Sequence, residues 1–233
     1  YEIGSGLVGS EMCIRDRVIV YDDLIDEHLL EFAPESCELI YAGKRSGRHS
    51  KAQEEINELL VKKALEGRYV VRLKGGDPYV FGRGGEEALA LKAHGIPVHE
   101  VPGVTSGIGL CGMAGIPVTH RGASRGFHVI TGHTADNLPP EIEEIRWKSY
   151  AKLDETFVFL MGLKSIDMIT GKLMGYGKPE DTAVAVIHGN NSDGTYVKLV
   201  GTLSDIAEKV KVADFPSPAI IVVGEVASLE LTD

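Results

Sequence analysis

Two clusters of glycine flank a single aspartate at the point in this chain where chemistry is most legible. Lys74-Gly75-Gly76-Asp77-Pro78 follows directly on an apolar, strand-like run at residues 69–73, and Gly82-Arg83-Gly84-Gly85 comes next. Open α/β sheets bind ligands outside the carboxyl ends of their strands. Glycine allows backbone conformations, and close approaches of a ligand, that other residues forbid. Asp77 could accept from ribose hydroxyls or from a ligand ammonium group, and Pro78 stiffens the turn. The second cluster precedes a helix whose first turn carries Glu86 and Glu87. Acidic residues there suit the helix dipole and make an anion site on that helix unfavourable. Taken alone, the glycines read equally well as tight turns. Neither a Rossmann G-x-G-x-x-G nor a Walker loop is present, which disfavours a nicotinamide or nucleoside-triphosphate enzyme.

The elements that must position this block follow from periodicity. Strand-like runs fall at residues 18–21, 38–41, 69–73, 98–101, 127–131, 157–161, 183–187, 196–200 and 219–223. Helical patterns lie between them. In residues 50–65, Ser50 and Gln53 form a capping box. Ile56, Leu59, Leu60 and Ala64 then make one apolar stripe, and Gly67 stops the helix. Further helices are expected at residues 85–94 (stopped by Gly95), 105–114 and 204–212. The alternation indicates an α/β architecture with a mostly parallel first half and a mixed second half, meeting within residues 103–115. Gly189, Asn190, Asn191, Asp193 and Gly194 carry the turn chemistry of a hairpin between residues 183–187 and 196–200.

Bulk properties narrow the classes. The 233 residues suffice for one large domain or two small ones. No apolar run approaches the roughly 20 residues of a membrane helix, and no secretory signal is visible. Cys13, Cys37 and Cys111 show neither metal-ligand spacing nor an even disulfide set, so no metal is expected and a reducing cytoplasm is. A net charge of −10 disfavours a nucleic-acid partner, although a local basic pocket is compatible with it. His28, His94, His99, His128, His133 and His188 lack ligand spacing and read as structural or exposed. The first seventeen residues, YEIGSGLVGSEMCIRDR, have no initiator Met and no clean period. They read as a segment foreign to the fold.

Three strings occur in order: GKRSGRHS at residues 43–50, VVRLKGGDPYVFGRGGEE at residues 70–87 and VPGVTSGIGLCGMAGIPVTHRG at residues 101–122. Together they resemble the tetrapyrrole methylase family, over about residues 18–229. The resemblance implies a two-domain α/β homodimer in the cytoplasm, with S-adenosylmethionine in the cleft between the domains. Residues 18–107 would form the first domain and residues 108–233 the second. Within the family the strings are similar to those of members that methylate uroporphyrinogen III at C2 and C7, giving precorrin-2 for sirohaem and cobalamin. Some relatives continue into a uroporphyrinogen-III synthase domain, so such a fusion downstream is a further expectation. A methylase of another tetrapyrrole or of RNA, or a binder without turnover, are the alternatives.

Family cofactor contacts carried onto this chain are Gly75, Gly76, Asp77, Val80, Thr105, Ser106 and Met161. The last contact falls at Gly189 and Asn190, where the chain departs from the family pattern by about one residue. Asp22, in VYDDL, aligns with a proton acceptor, and Lys44, in AGKRSG, with a proton donor. Without the resemblance, Asp22 reads as a strand-end cap and Lys44 as a solvated charge. A polycarboxylate substrate would need a basic pocket; Arg45, Arg48, His49, Arg83, His120 and Arg121 are the candidates, since arginine forks suit carboxylates. The family opens with a strand and a G-x-G-P-G-D-P loop, where this chain has its odd first seventeen residues. Weak activity and lowered stability are therefore expected.

Overall fold

A computed structural model of the protein describes residues 17–43, 53–132, 139–189, 194–229 and 231. Sixteen of the odd first seventeen residues and the Ser50 half of the expected capping box lie outside them, as do Asn190, Asn191 and Asp193 of the hairpin turn; the seventeenth, Arg17, opens a strand. The described residues divide into two compact units, one up to Thr105 and one from Ser106 onward.

The first unit is built on a three-stranded parallel sheet. Strand β1 (Arg17–Tyr21) lies in the centre, with β2 (Glu38–Tyr41) on one side and β3 (Tyr69–Arg72) on the other. Alternate residues of β1 serve opposite faces, as the two-residue period of a strand requires. Val18 and Val20 pack with Ala42, Ile56 and Leu60, the last two from helix α1 (Gln53–Leu65). Ile19 packs with Ile25 and Leu73 on the other face, beneath a short 3₁₀ turn at Glu27–Phe32. Helix α2 (Gly84–Ala93) begins within the second glycine cluster. Gly67 and Gly95 close α1 and α2 with φ of +78° and +70°, the left-handed conformation in which glycine ends helices.

The second unit carries a five-stranded mixed sheet. It contains β4 (Phe127–Thr131), β5 (Thr156–Leu160), β6 (Ala183–Gly189), β7 (Tyr196–Thr202) and β8 (Ile220–Val223), in the order β4-β5-β8-β6-β7. Only β4 and β5 are parallel; the other neighbours are antiparallel, including the β6–β7 hairpin. Strand β5 is buried at every residue, because both faces of the sheet are covered. Phe157 and Phe159 join Trp147, Ile169, Leu173, Val184 and Val186 on one face. That face is covered by helices α4 (Pro140–Lys152), α5 (Ile166–Gly175) and α6 (Ile206–Val212). Val158 and Leu160 join Cys111, Ile116, Ala185, Ile187 and Val222 on the other, against α3 (Ser106–Met113).

One expected strand does not form. Residues 98–101 run without strand pairing, and Val98 and His99 are exposed. A strand exists only where its amides and carbonyls meet a neighbouring strand. Among the described residues, β3 has β1 on one side and no strand on the other, so the apolar residues of this stretch find no ladder to join. Helices α4 and α5 were not bounded by the sequence pattern. In α4 only Trp147 and Ala151 are buried, which leaves a weak apolar stripe. No described helix is long and apolar enough to cross a membrane.

Candidate functional site

The glycine-aspartate loop emerges from the carboxyl end of β3, and its shape is set by backbone packed on backbone. A Cβ on Gly75 would sit 2.3 Å from the Leu24 carbonyl oxygen, and one on Gly103 would sit 2.1 Å from that of Gly76. Gly76 itself adopts φ +70° beside Val104 and Thr105. The Asp77 carboxylate spans this junction. Its Oδ1 accepts from the Tyr79 amide at 2.8 Å and its Oδ2 from the Gly103 amide at 3.3 Å. Asp77 therefore ties the loop to the segment that leads into Thr105, and each oxygen keeps a lone pair for a further donor. The Val80 amide closes the turn by donating to the Asp77 carbonyl at 3.2 Å. The Gly84 amide donates to the Pro78 carbonyl at 2.9 Å, which folds the second glycine cluster back over the first.

Asp22 lies just past the carboxyl end of β1 and does more than cap the strand. Its Oδ1 accepts from the Leu24 amide at 3.1 Å, the capping role read from sequence. Its Oδ2 accepts from Arg72 Nη2 at 2.8 Å. Arg72 also donates through Nε to Glu87 at 3.2 Å and through Nη1 to the carbonyls of Val20 and Leu73. Glu87 is only 4% exposed and also receives Lys74 Nζ at 3.2 Å and the Gln53 amide at 3.2 Å. Burial and the adjacent Arg72 charge pull the Lys74 pKa below the usual lysine value, against the attraction of Glu87. Sequence reasoning missed this network. Glu86 and Glu87 were read alike as partners of the helix dipole; only Glu86 is exposed. The available signal was Arg72 itself, a charge inside an otherwise apolar strand.

The basic candidates fall in different parts of the chain. Lys44, Arg45, Arg48 and His49 lie outside the described residues. Arg83, in the first unit, is exposed at φ +58° and forms a two-pronged ion pair with Glu86, at 2.8 and 2.6 Å. His120 and Arg121, in the second unit, are exposed and line an open concavity of about 370 Å³ with Thr119 and Arg125. A larger concavity of about 510 Å³ between α1 and α2 shares no residue with the glycine-aspartate loop.

In the second unit Ser106 is exposed at the start of α3. Met161 follows β5 with φ +56° and 47% exposure. A non-glycine residue held in this conformation at a strand end marks stored strain, which concentrates at ligand sites. Gly189 ends β6, where a Cβ would meet the Leu110 side chain of α3 at 2.7 Å. Asn190, the next candidate, lies outside the described residues.

Strand-end loops on an α/β frame admit many ligands, so comparison with known proteins decides the family. The family model of the tetrapyrrole (corrin/porphyrin) methylases matches residues 15–207. The chain belongs to the tetrapyrrole methylases. It is 48% identical over 215 residues to the uroporphyrinogen-III C-methyltransferase of Methanocaldococcus jannaschii, covering 91% of this chain and 86% of that one. It is also 48% identical to the S-adenosyl-L-methionine-dependent uroporphyrinogen III methyltransferase of Methanosarcina barkeri, covering 98% of this chain and 92% of that one. Among solved structures, the uroporphyrin-III C-methyl transferase of Thermus thermophilus complexed with S-adenyl homocysteine superposes with a TM-score of 0.71. The identity is 36%, over 91% of this chain and 86% of that one. In this tetrapyrrole methylase both the parallel first sheet and the mixed second sheet follow the expectation from sequence.

Proposed function

We propose that the protein transfers methyl groups from S-adenosylmethionine to C2 and C7 of uroporphyrinogen III, yielding precorrin-2 for sirohaem and cobalamin. The observation that carries this reading is the 48% identity to the M. jannaschii enzyme across nine-tenths of the chain. The residues present fit the methyl donor. Gly76 offers bare backbone with room above it, where a Cβ would meet nothing nearer than 3.7 Å. The Asp77 oxygens retain lone pairs for hydroxyls or an ammonium. Gly75, Gly76, Asp77, Val80, Thr105, Ser106, Met161, Gly189 and Asn190 would hold the donor.

When bound, the donor supplies an electrophilic methyl group on a sulfonium. The chain's part is mostly placement, because an in-line displacement by a pyrrole carbon depends on alignment. As the new C–C bond forms and the C–S bond breaks, the ring gains positive charge and then loses a proton. Asp22 would take that proton or balance the charge, and Lys44 would serve as the proton donor. Arg45, Arg48, His49, Arg83, His120 and Arg121 would meet the substrate's carboxylates as charge-assisted forks. The same reading includes a homodimer working in the cytoplasm, with residues 18–107 and 108–233 as its domains.

Incubation with uroporphyrinogen III and S-adenosylmethionine tests it. The expected product oxidises to a chlorin-like chromophore; no such absorption, with methylation of another tetrapyrrole instead, would overturn the substrate assignment. Calorimetry tests the cofactor loop: Asp77→Ala is expected to abolish S-adenosylmethionine binding, and unchanged binding would reject that role.

A further inference from the structure

Asp22, Arg72, Lys74 and Glu87 form a compact set in which two cations face two carboxylates, with side-chain exposures of 21%, 13%, 9% and 5%. Water contributes little here, so position depends on the protein's own donors. Each nitrogen of the Arg72 guanidinium is engaged. Nε is held by Glu87, Nη1 by the Val20 and Leu73 carbonyls, and Nη2 by Asp22. Its planar fork cannot turn without breaking several bonds together. Glu87 is itself anchored by Lys74 and Gln53. The rigid end of this chain of contacts is therefore the helix-borne carboxylate, and the end facing outward is Asp22. Asp22 Oδ1 is fixed by the Leu24 amide and Oδ2 by Arg72, which leaves one lone pair on each oxygen in a set direction.

We infer that Arg72 is a positioning residue for the reaction, acting through Asp22, with Glu87 and Lys74 holding Arg72 in place. The inference rests on the assignment of Asp22 as proton acceptor. Arg72 touches neither reactant; it fixes the rotamer of the carboxylate that does. A buried ion network contributes little net stability once desolvation is counted, which fits a role in orientation better than a role in folding.

A double-mutant cycle separates the possibilities, using turnover of uroporphyrinogen III, calorimetric affinity for S-adenosylmethionine, and thermal unfolding. Asp22→Asn and Arg72→Met are each expected to lower kcat by roughly 10²-fold, with the affinity for S-adenosylmethionine unchanged. The combined variant should be no slower than Asp22→Asn alone. Arg72→Lys should recover part of kcat in the wild-type background and none in the Asp22→Asn background. It keeps a cation against Glu87, so it carries the test should Arg72→Met fail to fold. Multiplicative losses in the double variant, or wild-type turnover in Arg72→Met beside a slow Asp22→Asn, would overturn the inference. Wild-type turnover in Asp22→Asn would overturn the reading beneath it. A crystal structure of Arg72→Met with the Asp22 carboxylate in its original orientation would also refute the coupling, independently of activity.

Discussion

The two units of this protein solve the same problem, covering both faces of a sheet, with different interiors. In the second unit the interior is aromatic and aliphatic: Trp147 stacks on Phe159 at 6.2 Å, and Tyr150 tilts against Phe157 at 5.4 Å. In the first unit, a few residues from the apolar pair Val18 and Val20, the interior holds Arg72, Lys74 and Glu87. Apolar packing gives net stability in proportion to the area removed from water. Buried charge gives direction, since its geometry is set by a few strong, oriented bonds. The contrast teaches that the charged interior of the first unit fixes the direction of the Asp22 carboxylate, whereas the apolar interior of the second unit holds its sheet together.

The largest expected effect tests the apolar side. Phe159→Ala should cost about 3–5 kcal/mol of unfolding free energy in urea, since it deletes a fully buried ring between stacked neighbours. On the charged side, Arg72→Met combined with Lys74→Met and Glu87→Met should leave stability within about 1 kcal/mol of the parent, because an apolar set replaces the three most buried charges and Asp22, the most exposed of the four, can turn to water. Turnover should nevertheless be lost. A large drop in melting temperature for that triple variant would break the comparison.

A third test concerns Lys178, a buried lysine in the apolar unit. It is 7% exposed, donates to the Leu153 carbonyl at 2.9 Å and lies over the Phe157 ring at 5.4 Å. Burial pulls its pKa below the usual lysine value. The folded chain thus sheds this proton at lower pH than the unfolded chain, and between the two values the unfolded state binds more protons. The destabilisation is full below the lowered pKa and is relieved as pH rises toward the ordinary lysine value. The stability of the wild type relative to Lys178→Met should therefore improve as pH rises toward the ordinary lysine value; a constant difference in urea titrations would contradict this.

The smallest effect concerns Cys111. It is fully buried, its thiol is pushed up to about 12 by desolvation, and it donates to the Gly107 carbonyl at 3.4 Å. It should resist thiol reagents in the folded enzyme and react once the chain is unfolded; reaction at native rates typical of an exposed thiol would show that this face of the second sheet opens.

Much of this was legible in the sequence, for identifiable reasons. Strand β2 and strand β4 coincide with their apolar runs, because β-branched and aromatic residues between turn formers leave little ambiguity. The glycine stops after α1 and α2 were readable from residue type alone. Residues 98–101 misled because a strand's existence depends on a neighbour that local pattern does not report. The loop residues of the candidate site were named through the family resemblance, since glycine and aspartate at a strand end serve tight turns equally well. Arg72 and Glu87 were not, because their significance lies in a meeting fifteen residues apart, between a strand and the buried face of a helix. Met161 was named from the family pattern, but its left-handed backbone is a property of the fold.

Gly103 places its α-carbon against the Gly76 carbonyl so closely that a Cβ would lie 2.1 Å from that oxygen. Every other amino acid carries a Cβ, so each missense change in the Gly103 codon meets the same obstacle, whatever the base altered. The obstacle is a backbone atom of the loop itself, which no rotamer change can move aside. Drift at this codon has no neutral neighbour to pass through, and restoring fit after a substitution would require the Gly76 turn to be rebuilt in the same step.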